Sequence, residues 1–478
     1  MRPTHSYIAT AVLAIAALAG CTTTPTAPPR LELPAASTAD PGVLASQRWW
    51  TAFGDPTLDK LVDEALAHNL DIADAITRVD FARAQVLFAQ ADLYPTVDLA
   101  AGATRSRISQ VGSTPLPAGF PPITNDYRVG LQASYELDLW GKYRTATGAA
   151  RQDLLASEYA RETVRTSVEA GTAQAYFTLV AADVQLALLN DTLKSRDDAL
   201  ALQRDLMQAG VIGEYEFHAA EAERAAVVGD IAVAKRAVAE AESALAALAG
   251  RSPREVFDPK VDRDQRYERF TTVPVIPAGL ASDLLERRPD IRQSEAQLAA
   301  ANMRIDVARA DYFPAISLTG LFGSEAAVLR SLFTGPAAIW SIGASLAQPI
   351  VGLKAIEANV DAQTARRNQA VVGYTRTVQL AFKDAHDALS ANTTTREALA
   401  AETQRAHSLQ QTLELSDTRY KAGYSPYLEV LDAQRQLLQA QTLQIVAARN
   451  ARFALIDLAR ALGGGWDAGA VDAVVARP

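Results

Sequence analysis

The chain has one cysteine, Cys21, in 478 residues. No disulfide can form within a single copy, even in an oxidising compartment. Its five histidines (His5, His68, His218, His386 and His407) are scattered without metal-ligand spacing. Neither a nucleophile elbow nor a zinc-protease motif is present, so neither enzymatic activity nor a cofactor is expected. Positive charge is in deficit: 46 Lys and Arg stand against 55 Asp and Glu, a net charge of −9. A nucleic-acid partner would need the opposite balance. Beyond the N-terminus no run of about 18 or more apolar residues occurs, so no mature transmembrane helix is expected. The strands of a β-barrel alternate and escape that criterion. What is present, 49% apolar and 21% charged residues, is the composition of an ordered protein.

The N-terminus has the layout of an export signal. Arg2 supplies a weakly basic start, Ile8 to Ala19 an apolar core, and Leu18-Ala19-Gly20-Cys21 the close. This tetrapeptide resembles a bacterial lipobox, in which the cysteine becomes the lipidated first residue of the mature chain. Acyl chains contribute about 0.8 kcal/mol per buried methylene, so several of them anchor firmly. Thr22, rather than Asp, follows the cysteine, which resembles the pattern for an outer-membrane destination. The Thr-, Pro- and Ala-rich residues 22–47 form a tether.

The rest of the chain repeats itself. Asp71-Ile72 matches Asp290-Ile291, and Leu93-Tyr94-Pro95 matches Tyr312-Phe313-Pro314. Later, Ala209-Gly210 matches Ala422-Gly423, and Ala249-Gly250 is answered by Leu462-Gly463. Each copy predicts a helix, a strand pair and a long helical hairpin. Residues 57–93 carry an apolar stripe of Leu58, Leu61, Val62, Ala65 and Leu66. Strands are expected at 96–105 and 127–139, and again at 315–323 and 339–349. In the second of these, Tyr127, Val129, Leu131, Ala133, Tyr135, Leu137 and Leu139 share one face. Such a length exceeds a typical soluble strand of about 5–6 residues and suits a tilted membrane strand of about 9–11. Helices follow over 142–207 and 353–420, return over 214–249 and to 462, and turn at 209–213 and 422–426. Val227, Ile231, Ala234, Val238, Ala241, Leu245 and Leu248 keep heptad spacing, a coiled-coil signature. Beside them lies a second line of Ala225, Val228 and Ala232. The Gly463-Gly464-Gly465 triplet lacks the strand context of a phosphate loop and is a helix stop.

Four amphipathic strands leave two open edges. In lipid, unpaired edge groups cost several kcal/mol each, and a barrel needs roughly eight strands. The strands must therefore close with other copies, two giving eight strands or three giving twelve; periodicity does not choose between these. The expected fold class is a mixed α and β membrane protein, a β-barrel continuous with a long periplasmic α-helical barrel and built on an internal repeat.

Several runs resemble the TolC family of outer-membrane efflux proteins, specifically its OprM-like, NodT-type lipoprotein branch. They are Trp49-Trp50 with Phe53-Gly54-Asp55-Pro56, Asp283 to Ile291, Tyr312-Phe313-Pro314 with Leu318-Thr319-Gly320, and Arg419 to Gly423 followed by Tyr427 to Arg435. The resemblance implies a homotrimer with a twelve-stranded barrel, four strands per chain. It further implies docking to a periplasmic adaptor and an inner-membrane pump of the resistance-nodulation-division class, around a passive gated duct for small molecules. The implied location is the outer membrane, lipid-anchored at Cys21, with lipid around the barrel. A periplasmic gate follows by motif: Arg419, Tyr420 and Asp432 as a polar closed-state network and Leu428 as an apolar constriction. Without the motif, Arg419 and Asp432 also fit solvated helix-end charges. The first copy has Leu206-Met207 where the second has Arg419-Tyr420, so the gate is expected to be asymmetric. Ala209, Gly210, Gly213, Ala422 and Gly423 are candidate adaptor-contact turns, and also fit plain hairpin turns. Two alternatives remain open: the exit duct of a type I protein secretion system, and a non-conducting structural envelope lipoprotein. The expected division is signal peptide 1–20, tether 21–56, first repeat 57–280, second repeat 281–462 and tail 463–478.

Overall fold

The computed structural model describes residues 46–111, 119–259, 261, 263, 270–273, 288–466 and 471. Cys21 and the signal segment lie outside these. The described elements begin with a 3-10 turn at Trp49–Phe53, then α1 (Pro56–His68), α2 (Leu70–Ala91), β1 (Thr96–Arg107), β2 (Ile123–Glu136), α3 (Lys142–Gln208), α4 (Glu214–Leu248) and α5 (Pro253–Phe257). The second half comprises α6 (Pro289–Ala310), β3 (Ala315–Ala326), β4 (Ala338–Ala347), α7 (Leu353–Lys421) and α8 (Tyr427–Ala461). The repeat is geometric as well as sequential. β1 and β3 have 12 residues each, and α4 and α8 have 35 each.

The chain divides into two compact units. The first draws its described residues from Asp80–Leu154 and Glu295–Gly373. It holds one antiparallel sheet in the order β1-β2-β3-β4, with β1 and β4 at the edges. The change from strand to helix is built locally. Asp138 accepts hydrogen bonds from the backbone N–H of Tyr143 (3.1 Å) and Arg144 (2.9 Å), capping α3. This draws residues 137–139 out of the strand expected to reach 139. At the far end, β2 starts four residues earlier than its alternation suggested. Trp140 stacks on Phe313 of the repeated motif at 4.9 Å and donates to the Pro314 carbonyl at 2.8 Å.

The second unit, Arg30–Val79, Leu155–Ser294 and Tyr374–Pro478, contains the main core. Trp49, Trp50, Tyr176, Leu179, Leu245, Leu455, Ile456 and Leu458 are all nearly inaccessible there. The heptad stripe of α4 packs as its spacing predicts, with Val227, Ile231 and Ala234 against Leu189. The neighbouring line of Ala225, Val228 and Ala232 is exposed. One window of α3 passes by length and composition as able to cross a membrane, and 56% of it is buried in the protein.

The single helix expected over 57–93 is broken at Asn69. The Asn69 side-chain oxygen accepts from the N–H groups of Asp71 (2.8 Å) and Ile72 (3.2 Å), and its amide donates to the Leu248 carbonyl at 2.8 Å. It is thus an N-cap for α2 and a tie to the end of α4. Asp71 and its repeat partner Asp290 both fall in the first helical turn, where a carboxylate meets the positive end of the helix dipole.

Candidate channel wall and gate

The strand register sorts side chains onto two faces, because alternate residues point to opposite sides. Leu99 pairs with Leu131, Leu131 with Phe322, and Phe322 with Trp340. This apolar row crosses all four strands, and its members are 73%, 48%, 69% and 73% exposed. One step along, Val97, Ala133, Gly320 and Ile342 form the next row on the same face. The opposite face carries Asp98, Gln132, Leu321 and Ser341 in one row, and Thr96, Ser134, Thr319 and Gly343 in another. Arg128 pairs with Glu325 on that polar face. A sheet whose central rows are apolar on one face and mostly polar on the other matches the wall of a membrane barrel, apolar toward lipid and polar toward a lumen.

The two helical hairpins end in the same turn. Gly210 and Gly423 adopt φ of 72° and 77°. Val211 N–H reaches Leu206 O at 2.9 Å and Tyr424 N–H reaches Arg419 O at 2.9 Å. This Schellman closure explains glycine at both positions. A Cβ at either would have nothing within 4 Å, so no close approach within the chain demands glycine there. Ala209, Gly210, Gly213, Ala422 and Gly423 are all exposed.

The four gate residues named from the motif separate into two groups. Tyr420 is half-buried: its ring lies 5.2 Å from that of Tyr427, in a cluster with Leu200, Ala220, Val430 and Leu431. Its hydroxyl meets the Gln203 amide nitrogen at 3.2 Å. Arg419, Leu428 and Asp432 are exposed. Arg419 has no side-chain hydrogen bond or ion pair among the described residues, and Asp432 accepts only from Gln436, at 2.5 Å.

Two further polar pairs bind the hairpin ends together. Arg196, 3% exposed, donates to the Gln434 side-chain oxygen. Burial lowers its pKa, opposed by the nearby Glu223 charge. Arg435 pairs with Glu223 at 2.6 Å. Gln434 and Arg435 lay within the quoted motif. Arg196 and Gln203 carry no sequence signal, since nothing in a helical run marks which polar residue its neighbours will cover. A cavity of about 390 Å³ opens beside this network, lined among others by Gln203, Leu413, Tyr420, Tyr427 and Gln434.

A sheet with a lipid-type face, duplicated and joined to long helical hairpins with polar-linked ends, defines a membrane channel subunit rather than a soluble domain. Comparison with known proteins agrees. The family model "Outer membrane efflux protein" matches residues 61–251 and 280–464, and the chain belongs to this family. A relative from Pseudomonas putida, "Probable efflux pump outer membrane protein TtgC", is 34% identical over 97% of this chain and 96% of its own length. "Antibiotic efflux pump outer membrane protein ArpC", also from Pseudomonas putida, is 34% identical over 88% of this chain and 86% of its own. The crystal structure of the Campylobacter jejuni CmeC outer membrane channel superposes with a TM-score of 0.85 at 28% identity, covering 94% of this chain and 98% of that one. The protein is an outer-membrane efflux component with the mixed α and β fold of the TolC-like channels.

Proposed function

We propose that three copies of this chain close a twelve-stranded barrel in the outer membrane, continuous with a periplasmic helical tube. The assembly serves as the passive exit duct of a tripartite efflux system. The observation that carries this reading is the apolar row Leu99–Leu131–Phe322–Trp340 running the full width of a sheet with two unpaired edges. An isolated four-stranded sheet cannot sit in lipid, because its edge N–H and C=O groups would lack partners. Pairing β1 of one copy with β4 of the next removes every edge. The exposed line of Ala225, Val228 and Ala232 then has a neighbouring helix to cover it.

Substrate export needs no chemistry from the wall; energy comes from an inner-membrane pump, of resistance-nodulation-division type, through a periplasmic adaptor. The exposed turns at Ala209, Gly210, Gly213, Ala422 and Gly423 are the surface offered to that adaptor. The gate has two layers. Tyr420 and Gln203 lock one hairpin to the other within a copy. Arg419, Asp432 and Leu428, free to face outward, act between copies. Cys21 carries the lipid anchor, and the domain division follows the repeat, 57–280 and 281–462.

Disruption of the gene in its host, followed by dye-accumulation and secretome measurements, tests the substrate class. Raised accumulation of efflux dyes with an unchanged set of secreted proteins is expected. Loss of a secreted protein with unaltered dye accumulation would assign the duct to protein secretion instead.

A further inference from the structure

The lipid-facing side of β1 changes character toward the strand connections. Val97, Leu99, Ala101 and Ala103 continue, at the same alternation, into Arg105 and Arg107. Both arginines are exposed. Neither has a side-chain hydrogen bond or ion pair among the described residues. Nearby Arg128, on the opposite face, is paired with Glu325.

The strands and connections at this end hold few acids. Between residues 104 and 128 the only carboxylate is Asp126; between 324 and 347 it is Glu325. Asp126 pairs with Thr104 in register and Glu325 with Arg128, which places both on the polar face. The same stretches hold Arg105, Arg107, Arg128 and Arg330. This end of the sheet is therefore net positive in a chain whose overall charge is −9. The excess lies at the end where β1 passes to β2 and β3 to β4, away from the long helices in chain order.

The height is also consistent. Val97 to Arg107 is ten residue steps of about 3.3 Å. On a strand tilted by about 40°, they rise roughly 25 Å, the height of an outer-membrane apolar band. The two guanidinium groups arrive at the outer lipid headgroups, their stems in the apolar zone and their heads above it.

We propose that Arg105 and Arg107 form a docking site on the barrel's outer wall for the phosphate groups of the anionic glycolipid of the outer leaflet. The proposal rests on the membrane reading above. Arginine forks suit phosphate through paired N–H donors, and each basic group at a lipid surface strengthens binding roughly fivefold.

The test uses the full-length protein in detergent. Binding of bisphosphorylated lipid A is measured by native mass spectrometry and thermal shift, with dephosphorylated lipid A and inorganic phosphate as the other probes. The double variant R105Q/R107Q is compared with wild type and with R105K/R107K. Expected results are a loss of roughly fivefold in affinity per arginine neutralised, partial retention in the lysine variant, and no matching shift with inorganic phosphate. Equal binding by wild type and R105Q/R107Q would overturn the site, as would equal binding of phosphorylated and dephosphorylated lipid. Inorganic phosphate stabilising as strongly as the lipid would make it a free-anion site and overturn the lipid assignment. Conductance in planar bilayers separates the two levels of failure. A conducting wild type with no arginine-dependent lipid binding sinks only this site, whereas a wild type that never conducts sinks the membrane reading beneath it.

Discussion

The Tyr420 hydroxyl meets the Gln203 side-chain amide at 3.2 Å, joining the last turn of α7 to the closing turns of α3. Gln203 is fully buried. Tyr420→Phe keeps the ring against Tyr427 and removes only this link. A stability loss of about 1 kcal/mol is expected, together with a higher closed-state conductance in planar bilayers. Adding Gln203→Leu should then change conductance little further, because the two substitutions break one interaction. Additive effects would show that the pair is not a lock.

Asp432 and Arg419 stand exposed on one copy, and we propose that they act between copies. Asp432→Ala should raise closed-state conductance at low salt. The difference should shrink as ionic strength rises and the Debye length falls toward about 3 Å at 1 M. An unchanged closed conductance would remove Asp432 from the gate.

Glu169 is buried on α3, accepting from Trp49 Nε1 at 3.4 Å and from Arg165 Nε at 3.3 Å. Burial raises its carboxyl pKa to about 8, against the pull of Arg165 and Trp49. An unfolded Glu169 releases its proton near 4.5, the folded one near 8. Between these values folding takes up a proton, and stability from this group falls as pH rises. The steepest slope is about 1.4 kcal/mol per pH unit. Glu169→Gln cannot ionise and still accepts from the indole. Its stability advantage over wild type should grow from pH 5 to 8 and level off above, measured by chemical unfolding at each pH.

Two left-handed glycines differ in what surrounds them. Gly210 has open space around a built Cβ, whereas one at Gly250 would sit 2.0 Å from the His68 carbonyl oxygen. Gly210→Ala should therefore cost only the backbone strain, about 1–2 kcal/mol. Gly250→Ala should cost more, because backbone must move, and lower the thermal midpoint well beyond the first variant.

The repeat, the strand count and the heptad face of α4 were legible because each rests on periodicity, which one chain carries in full. Strand ends were not: residues 137–139 keep the alternation, yet Asp138 turns to cap α3, a choice made by hydrogen bonding rather than by pattern. The break at Asn69 was missed for a related reason, since an Asn-Leu-Asp run also suits a helix interior until its side chain finds the Leu248 carbonyl. At the proposed gate, Tyr420 and the flanking motif could be singled out, but its contact Gln203 and the buried Arg196 could not. Their importance comes from which helix faces meet across more than two hundred residues.

The central claim is that copies of this chain form a pore. Full-length protein reconstituted into planar bilayers should give discrete, long-lived conductance steps, enlarged by Tyr420→Phe or Asp432→Ala. A stable, membrane-inserted oligomer that passes no current in wild type or in either variant would contradict it.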